Sequence, residues 1–257
     1  MNLKNIKCLL LDLDGTIYLG GKLFKGVKEK LIEFRQKGLK LVYLTNNSSK
    51  SISAYRQKLN NLGILEKEDI IYTSALAAAS YLKSNYKNKK IFVLGTKEIK
   101  RELKENGLKL TESKADVALL TYDTEITYKK LSRFCTLILN GAVYIATHPD
   151  AFCPSDGDFL PDAGSYIALI KESTGLSPSV ICGKPYGTMA EEIKKLVKLE
   201  NNEIAMAGDR LTTDIQFAVN NGFISVLVLS GETDMEMYKK SGVKADMVLN
   251  NITELNL

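Results

Sequence analysis

The chain has 257 residues, of which 45% are hydrophobic and 25% charged, and its formal net charge is +5. This composition is typical of a globular protein, and no apolar stretch approaches the ~20 residues that a membrane-spanning helix requires. The lysines are spread along the chain instead of forming a basic stripe, which argues against nucleic-acid binding. The N-terminal segment lacks a secretory pattern, and the four cysteines are scattered, so we expect a cytoplasmic protein with structural thiols.

The first part of the chain alternates between strand and helix patterns. Short apolar runs predict strands over 7–11 and 40–44, and an amphipathic pattern predicts a helix over 26–37. The polar cluster 46–49 has the residue types of a helix cap, so a helix is expected from there toward Gly63.

The middle of the chain carries its own alternation. Strands are predicted over 91–94, 117–121 and 143–146, and helices over 97–106, 128–139 and 165–173. These strands lack the polar residues that follow the strands on either side of the middle part. We therefore expect a second domain inserted into the first, with the return linker at 175–178.

The last part returns to the first scheme. A short strand over 180–182 precedes Thr188 and Glu191, whose spacing indicates a capping box at the start of a helix toward Leu199. Strands over 204–207 and 224–229 enclose a helix over 213–220. The predicted class is α/β, a doubly wound parallel-sheet core (1–76 and 179–257) with a smaller inserted α/β domain (77–178).

Two carboxylates, Asp12 and Asp14, follow the first predicted strand. The period of a strand directs residues two apart to the same side, and two like charges so close require a cation or a shared proton. Asp and Gly are also ordinary turn residues, so a purely structural turn is the alternative. A helix–loop–helix calcium site is excluded because Thr16 and Leu23 stand where it needs ligands.

Polar residues follow three further predicted strands: Thr45 with Asn46, Lys184, and Asp209 with Asp214. Ligands of open parallel sheets bind beyond the carboxyl ends of the strands. We therefore expect all these side chains, although distant in sequence, to form one active site together with the first acidic pair.

Charge limits the chemistry of such a site. Asp12, Asp14, Asp209 and Asp214 set four negative charges against Lys184, a balance of −3, and one divalent cation reduces this to −1. A ligand set made only of oxygen favours Mg²⁺. A phosphate would still be repelled unless Asp14 is protonated, and a protonated carboxyl is a general acid.

Four segments resemble the motifs of the haloacid dehalogenase superfamily of phosphohydrolases. They are DLDGT at 12–16, LTNNS at 44–48, GKP at 183–185 and GDRLTTD at 208–214. An α/β insert between the second and third motifs is similar to the branch of nitrophenylphosphatase-like and ribonucleotide-monophosphatase-like enzymes. Within the insert, ATHPD at 146–150 resembles that branch's TNPD segment, and PDAGS at 161–165 its PGxGS segment.

The resemblance implies a Mg²⁺-dependent phosphatase for small phosphorylated metabolites such as nucleotide, sugar or glycolate phosphates and nitrophenyl phosphate. Asp12 would be the nucleophile that forms an aspartyl-phosphate, and Asp14 the general acid and base. Asp12, the backbone carbonyl of Asp14, and Asp209 would hold the metal ion, and Asp214 would support that site and orient Lys184.

The resemblance also implies that the phosphoryl group would be bound by Thr45, Asn46 and Lys184. The inserted domain would act as a lid that reads the leaving group. Related enzymes often pair through this insert, which suggests a homodimer, whereas no membrane or nucleic-acid partner is expected.

Two residues of the insert depart from the branch. His148 stands where the branch has Asn, and Asp162 where it has Gly. A catalytic histidine and a hydrogen-bonded loop histidine are both open, and substrate choice is expected to depend on loops near 146–165 and 122–125. Two functional alternatives also stay open: transfer of the phosphoryl group to an acceptor other than water, and a non-catalytic sensor of phosphorylated metabolites.

Overall fold

The computed structural model describes residues 5–154 and 159–257. The strands are β1 Cys8–Leu11, β2 Tyr18–Leu19, β3 Lys22–Leu23, β4 Lys40–Thr45, β5 Ile70–Thr73, β6 Lys90–Leu94, β7 Lys109–Leu110, β8 Val117–Leu120, β9 Val143–Ala146, β10 Phe152–Pro154, β11 Phe159–Pro161, β12 Val180–Ile181, β13 Ile204–Gly208, β14 Ile224–Val228 and β15 Met247–Leu249. The α-helices are α1 Val27–Gln36, α2 Ile52–Asn61, α3 Ser74–Asn85, α4 Lys97–Glu105, α5 Tyr128–Leu139, α6 Ala163–Thr174, α7 Gly187–Val197, α8 Gln216–Asn221 and α9 Met235–Ser241. Short 3₁₀ turns cover Asn201–Glu203 and Ile252–Glu254, and a π-helical turn covers Leu211–Ile215.

The chain divides into two compact units. The first unit comprises the described residues up to 45, with 53–72 and 184–257, and the second comprises 46–52 and the described residues of 73–183. The domain boundaries expected after residues 76 and 178 stay a prediction.

The first unit is built on a six-stranded sheet in the order β15-β14-β13-β1-β4-β5. Its β1 pairs in parallel with β13 on one side and β4 on the other, so Leu10 lies beside both Met206 and Val42. The chain runs outward from β1 through β4 and β5, and later outward through β13, β14 and β15. The sheet therefore has its switch point at β1, beyond whose carboxyl end parallel sheets bind ligands.

Burial on both faces explains why β1 is an uninterrupted apolar run. All four of its residues are fully buried, including the thiol of Cys8. Helix α1 buries Val27, Leu31 and Phe34 in the same core, as its amphipathic pattern predicts.

The second unit is built on a five-stranded parallel sheet in the order β12-β9-β8-β6-β7. Aromatic side chains from β6, α5 and β9 fill its core. The ring of Phe134 lies 6.4 Å from that of Phe92 and 5.1 Å from that of Tyr144, measured between centroids. The α/β class and the parallel sheets predicted from the sequence are confirmed.

Several local predictions are wrong. The strand expected at 180–182 in the flanking sheet pairs instead with β9 of the second unit. The capping box at Thr188 and Glu191 does not form, because α7 begins at Gly187 after Tyr186, whose side chain makes no cap bond. The helix expected over 213–220 starts as a π-helical turn and becomes α-helical only at Gln216.

The start of α2 is also stabilised differently from the prediction. The polar cluster 46–49 was expected to cap this helix. Instead, the carboxylate of Glu98 accepts the backbone N–H of Ser51 at 2.9 Å, and that of Glu102 accepts the N–H of Ile52 at 2.6 Å. Side chains from a distant helix cannot be recognised as caps from local sequence.

Among residues 5–154 and 159–257, none of the helices combines the length and apolar character that crossing a bilayer requires.

A buried ion pair anchors α1 to the segment before β5. Arg35 donates to both carboxylate oxygens of Asp69, at 3.2 and 2.6 Å, and one of these oxygens also accepts the N–H of Glu66 at 2.9 Å. Because Asp69 accepts donors on both oxygens, an amide there must direct an NH₂ group at another donor.

We expect Asp69→Asn to lower the free energy of unfolding in urea by about 2 kcal/mol. The substitution removes the negative charge that faces Arg35 and one of the two acceptor oxygens. Glu112→Gln is the control, because Glu112 is 74% exposed in its 2.8 Å pair with Lys100. The control should stay within about 0.5 kcal/mol of the wild type. Equal effects of the two substitutions would contradict the role assigned to burial.

Candidate active site

Two neighbouring strands place the first two acidic residues of the site. Asp12 follows β1 and Asp209 follows β13, and these strands pair in parallel with Leu11 opposite Ala207. The backbone N–H of Asp12 continues the ladder by donating to the carbonyl of Ala207 at 2.9 Å. The carboxylates thus meet at one edge of the sheet, although almost 200 positions separate them in sequence.

A buried lysine joins this edge. Lys184 is 1% exposed, and its Nζ donates to Asp12 Oδ1 and to Asp214 Oδ1, each at 2.6 Å. The other oxygen of Asp214 accepts the backbone N–H of Arg210 at 3.1 Å. Both oxygens of Asp214 are therefore engaged in holding the site together. The Lys184–Pro185 peptide bond is cis.

Asp209 is arranged differently from Asp214. Its Oδ2 accepts the backbone N–H of Glu232 at 2.7 Å, whereas its buried Oδ1 has no hydrogen-bond partner among the described residues. Gly15 packs directly against this carboxylate, since a Cβ there would lie 2.3 Å from Oδ2, and its φ is +90°. Only glycine satisfies both the left-handed backbone and the close approach.

Burial sets the charge states of the site. Burial raises the pKa of Asp12 well above its ordinary value; Lys184 opposes the rise, and Asp214 and Asp209 add to it. Burial and then the Asp214 charge raise the pKa of Asp209 to about 7. Burial alone would lower the pKa of Lys184, but Asp12 and Asp214 outweigh it, so the pKa is raised and the ammonium stays charged.

These residues fit a hard divalent cation. Oxygen atoms of Asp12, Asp209 and Asp214 all lie within 4.8 Å of one another, and three carboxylates with one ammonium carry a net charge of −2 when ionised. The buried Oδ1 of Asp209 lacks a protein partner, which is the property of a metal ligand. Oxygen-only ligands at this charge suit Mg²⁺.

Asp14 is not a member of the cluster that Asp12, Asp209 and Asp214 form. Its side chain is 40% exposed, and its Oδ1 is 4.0 Å from Nζ of Lys58 on α2. The same ammonium lies over the ring of Tyr18, 3.7 Å from the centroid. Sequence reasoning did not single out Lys58, because a lysine on an amphipathic helix carries no local sign of what it faces.

The residues of the second motif fall in different units. Thr45 ends β4 in the first unit and is buried. Asn46 belongs to the second unit, where its side-chain amide donates to the carboxylate of Asp150 at 3.2 and 3.3 Å. The only sequence signal for Asp150 was its place at the end of the ATHPD segment.

The two departures from the branch pattern are both buried in the second unit. His148 and Asp162 lie 14 positions apart in sequence, and Nε2 of the histidine is 2.9 Å from Oδ1 of the aspartate. Of the loop predicted to govern specificity, 146–165, residues 155–158 lie outside the described residues.

Comparison with known proteins agrees with this architecture. A family model described as haloacid dehalogenase-like hydrolase matches residues 9–109, and a second, HAD-hydrolase-like model matches residues 181–255. An acid sugar phosphatase of Staphylococcus aureus is 32% identical over 253 residues, covering 98% of this chain and 97% of that protein. The 5′-nucleotidase YutF of Bacillus subtilis is 31% identical over 252 residues, covering 98% of both.

Among solved structures, a 4-nitrophenylphosphatase from Thermotoga maritima superimposes with a TM-score of 0.95 at 38% identity, covering 98% of this chain and 97% of that one. The chain belongs to the haloacid dehalogenase-like hydrolase family, which confirms the resemblance seen in its four motifs. It is a phosphatase.

The raised pKa of Asp209 has a consequence for stability. Because its pKa is about 7 in the folded protein against 3.8 as an ordinary value, the folded state binds more protons between these values. Stability therefore falls as the pH rises from about 4 through 7, and the penalty is complete above that range.

Asp209→Asn should remove this penalty. Without divalent cations, we expect its thermal midpoint to exceed that of the wild type at pH 8, by about 2–4 °C for each kcal/mol relieved, and to match it at pH 4. Asp116→Asn is the control, since a backbone N–H from Lys90 lowers the pKa of that exposed carboxyl. Mg²⁺ should raise the midpoint of the wild type but not of Asp209→Asn. A shift of equal size at both pH values would contradict the electrostatic cause.

Proposed function

We propose that the chain is a Mg²⁺-dependent phosphomonoesterase that hydrolyses small phosphate esters through an aspartyl-phosphate on Asp12. The observation that carries the proposal is the buried Lys184 ammonium, 2.6 Å from both Asp12 and Asp214, beside the unpartnered oxygen of Asp209. A purely structural turn needs neither a buried lysine nor three converging carboxylates.

Asp12 is assigned as the nucleophile. Lys184 holds its Oδ1, while its Oδ2 receives no hydrogen bond from the described residues and is the oxygen assigned to attack phosphorus. The new O–P bond forms as the bond to the ester oxygen breaks, and the alcohol leaves. Water then attacks phosphorus, the bond to Asp12 breaks, and the carboxylate is regenerated together with inorganic phosphate.

Asp14 is assigned as the acid and base. It gives its proton to the leaving ester oxygen and afterwards takes one from the attacking water. Its partial exposure supports this role, because a group that exchanges protons in each half of the reaction needs access to substrate and water.

Mg²⁺ would be held by Asp12, the backbone carbonyl of Asp14, and Asp209. When bound, the ion supplies positive charge that offsets the carboxylates and the incoming phosphate. Asp214 supports this arrangement from behind by fixing Lys184, since its oxygens are engaged by Lys184 and by the N–H of Arg210.

Phosphate oxygens are assigned to Thr45, Asn46 and Lys184. Thr45 is the last residue of β4, which pairs with the central strand β1, and Asn46 follows it in sequence. Lys184 remains charged despite its burial because two carboxylates stabilise the ammonium. The attraction between a buried cation and a phosphate is stronger where water is excluded.

The substrate class follows from similarity to the relatives. Their names specify sugar phosphates, nucleotides and nitrophenyl phosphate, so we assign small phosphorylated metabolites of these kinds to this chain. Selection among them is assigned to the second unit. A cytoplasmic location and a homodimer formed through the insert stay predictions, the latter testable by the mass of the protein in solution.

The test is phosphate release from a panel of sugar phosphates, nucleoside monophosphates, phosphoglycolate and nitrophenyl phosphate, with Mg²⁺ and with EDTA. We expect metal-dependent turnover by the wild type and a loss of at least about 10³-fold in Asp12→Asn, because the amide is a poor nucleophile. Asp69→Asn serves as the buried-carboxylate control and should retain turnover. Normal turnover by Asp12→Asn would refute the nucleophile assignment.

The same assay separates the two alternatives. If phosphate release falls when sugars or alcohols are added while new phosphate esters appear, the enzyme transfers the phosphoryl group instead of hydrolysing it. If folded wild type releases no phosphate from any ester but binds one of them, the chain is a sensor. Intact Asp12, Asp14, Lys184 and Asp209 favour catalysis over sensing, because a protein that only binds its ligand needs no nucleophile together with an acid.

Asp14→Asn should act through the leaving group. Nitrophenolate leaves without protonation, so we expect its release to fall about tenfold, against about 10²–10⁴-fold for a sugar phosphate. The measurement is kcat for both esters at the same pH and Mg²⁺ concentration. Equal losses on the two esters would argue against Asp14 as the proton donor.

A further inference from the structure

The two residues that depart from the branch pattern are hydrogen-bonded to each other. Nε2 of His148 lies 2.9 Å from Oδ1 of Asp162, and both side chains are nearly inaccessible, at 0% and 3% exposed. In the resembled pattern these positions hold Asn and Gly, which cannot form this contact. The two departures therefore form one hydrogen-bonded pair and are not independent changes.

The hydrogen bonds around the pair have a definite direction. An ionised carboxylate only accepts, so Nε2 of His148 donates to Asp162, whose Oδ1 also accepts the N–H of Ala163 at 2.6 Å. On the other side of the ring, Nδ1 is 3.0 Å from Oγ1 of Thr147. The hydroxyl of Ser48 is 2.9 Å from that Oγ1 and accepts the N–H of Tyr122 at 2.8 Å.

This network reaches the predicted phosphate ligand Asn46. The hydroxyl of Ser74 donates to the backbone carbonyl of Asn46, and its Oγ is 3.4 Å from Nδ1 of His148. Gly183 closes the other side, since a Cβ there would lie 2.6 Å from Oδ1 of Asn46 and 2.7 Å from the carbonyl of Thr147. A side chain at position 183 would therefore collide with Asn46 and Thr147, so Gly183 packs closely against this segment.

We propose that His148 and Asp162 are a pair of positioning residues that hold segment 46–48 so that Asn46 is oriented to bind the phosphoryl group of the substrate. The inference rests on the proposed function, because it assigns the pair a part in phosphate binding. His148 acts through the hydrogen-bonded hydroxyls of Thr147 and Ser48 and by packing against Ser74, and it is assigned no role at the reacting atoms. Asp162 fixes the ring by accepting from Nε2, as carboxylates fix histidine ligands elsewhere.

The pair also explains why the two departures occur together. Without His148, the buried carboxylate of Asp162 loses a donor, and without Asp162 the buried Nε2–H loses its acceptor. Either loss leaves a polar group unsatisfied in the interior. Replacing both restores the smaller Asn and Gly of the resembled pattern and leaves neither group behind.

The experiment is a double-mutant cycle of His148→Asn, Asp162→Gly and the combined variant. The readouts are KM and kcat for the best ester, and the dissociation constant of inorganic phosphate from the Mg²⁺-loaded protein by calorimetry. We expect each single variant to weaken phosphate binding and raise KM about 5- to 50-fold, with a smaller change in kcat. The combined variant should be impaired less than either single one.

Two further variants separate positioning from simple stability. Asp162→Asn keeps an oxygen that can accept from Nε2 and should restore phosphate binding to within about threefold of the wild type. Asp69→Asn lies outside the network and should lower the thermal midpoint without changing the dissociation constant of phosphate. Single variants that lose stability but bind phosphate like the wild type would overturn the proposal, as would effects that multiply independently in the combined variant.

The outcomes distinguish this inference from the proposed function. If the wild type binds phosphate, the single variants bind it weakly, and no ester is hydrolysed, then the positioning pair stands and the phosphatase mechanism fails. If esters are hydrolysed but the singles leave both phosphate binding and KM unchanged, the mechanism stands and the pair is structural only. Absence of phosphate binding by the Mg²⁺-loaded wild type would overturn both.

Discussion

The site depends on one buried ammonium, that of Lys184, held between the carboxylates of Asp12 and Asp214. Lys184 contacts Asp12 and Asp214 at equal distances, and Asp209 lies in the same cluster. One positive charge therefore compensates only part of the charge of three carboxylates. The remaining repulsion is strong, because the carboxylates lie close together and little water is present to screen their charges. This excess of negative charge is the electrostatic condition that favours binding of a divalent cation.

The sheet makes this concentration of charge structurally tolerable. Strands β1 and β13 are fully buried and pair in parallel, and the backbone N–H of Asp12 extends this pairing by donating to the carbonyl of Ala207. Gly15 has a positive φ and no Cβ, so the turn after β1 can approach the carboxylate of Asp209 closely. The free energy gained by burying this apolar core thus offsets the electrostatic repulsion in the polar site at its edge.

The second unit contributes a different kind of order. Its buried His148 and Asp162 satisfy each other, and the hydroxyl groups around the ring connect them to the backbone of Asn46. Such a network is stable only when every member has a partner, so a change at one position requires a change at another. The two departures from the family pattern thus satisfy each other's hydrogen-bonding groups.

The sequence by itself determined the α/β class, the acidic strand ends and the family, because apolar periodicity and short motifs are local properties of the chain. It also determined the candidate residues Asp12, Lys184 and Asp209. Only the tertiary structure decided that 180–181 joins the second sheet, that Glu98 and Glu102 bind the start of α2, and that His148 meets Asp162. These contacts join residues 14 to about 50 positions apart, and strand pairing, helix capping and buried hydrogen bonds at such separations depend on packing, which local sequence does not encode.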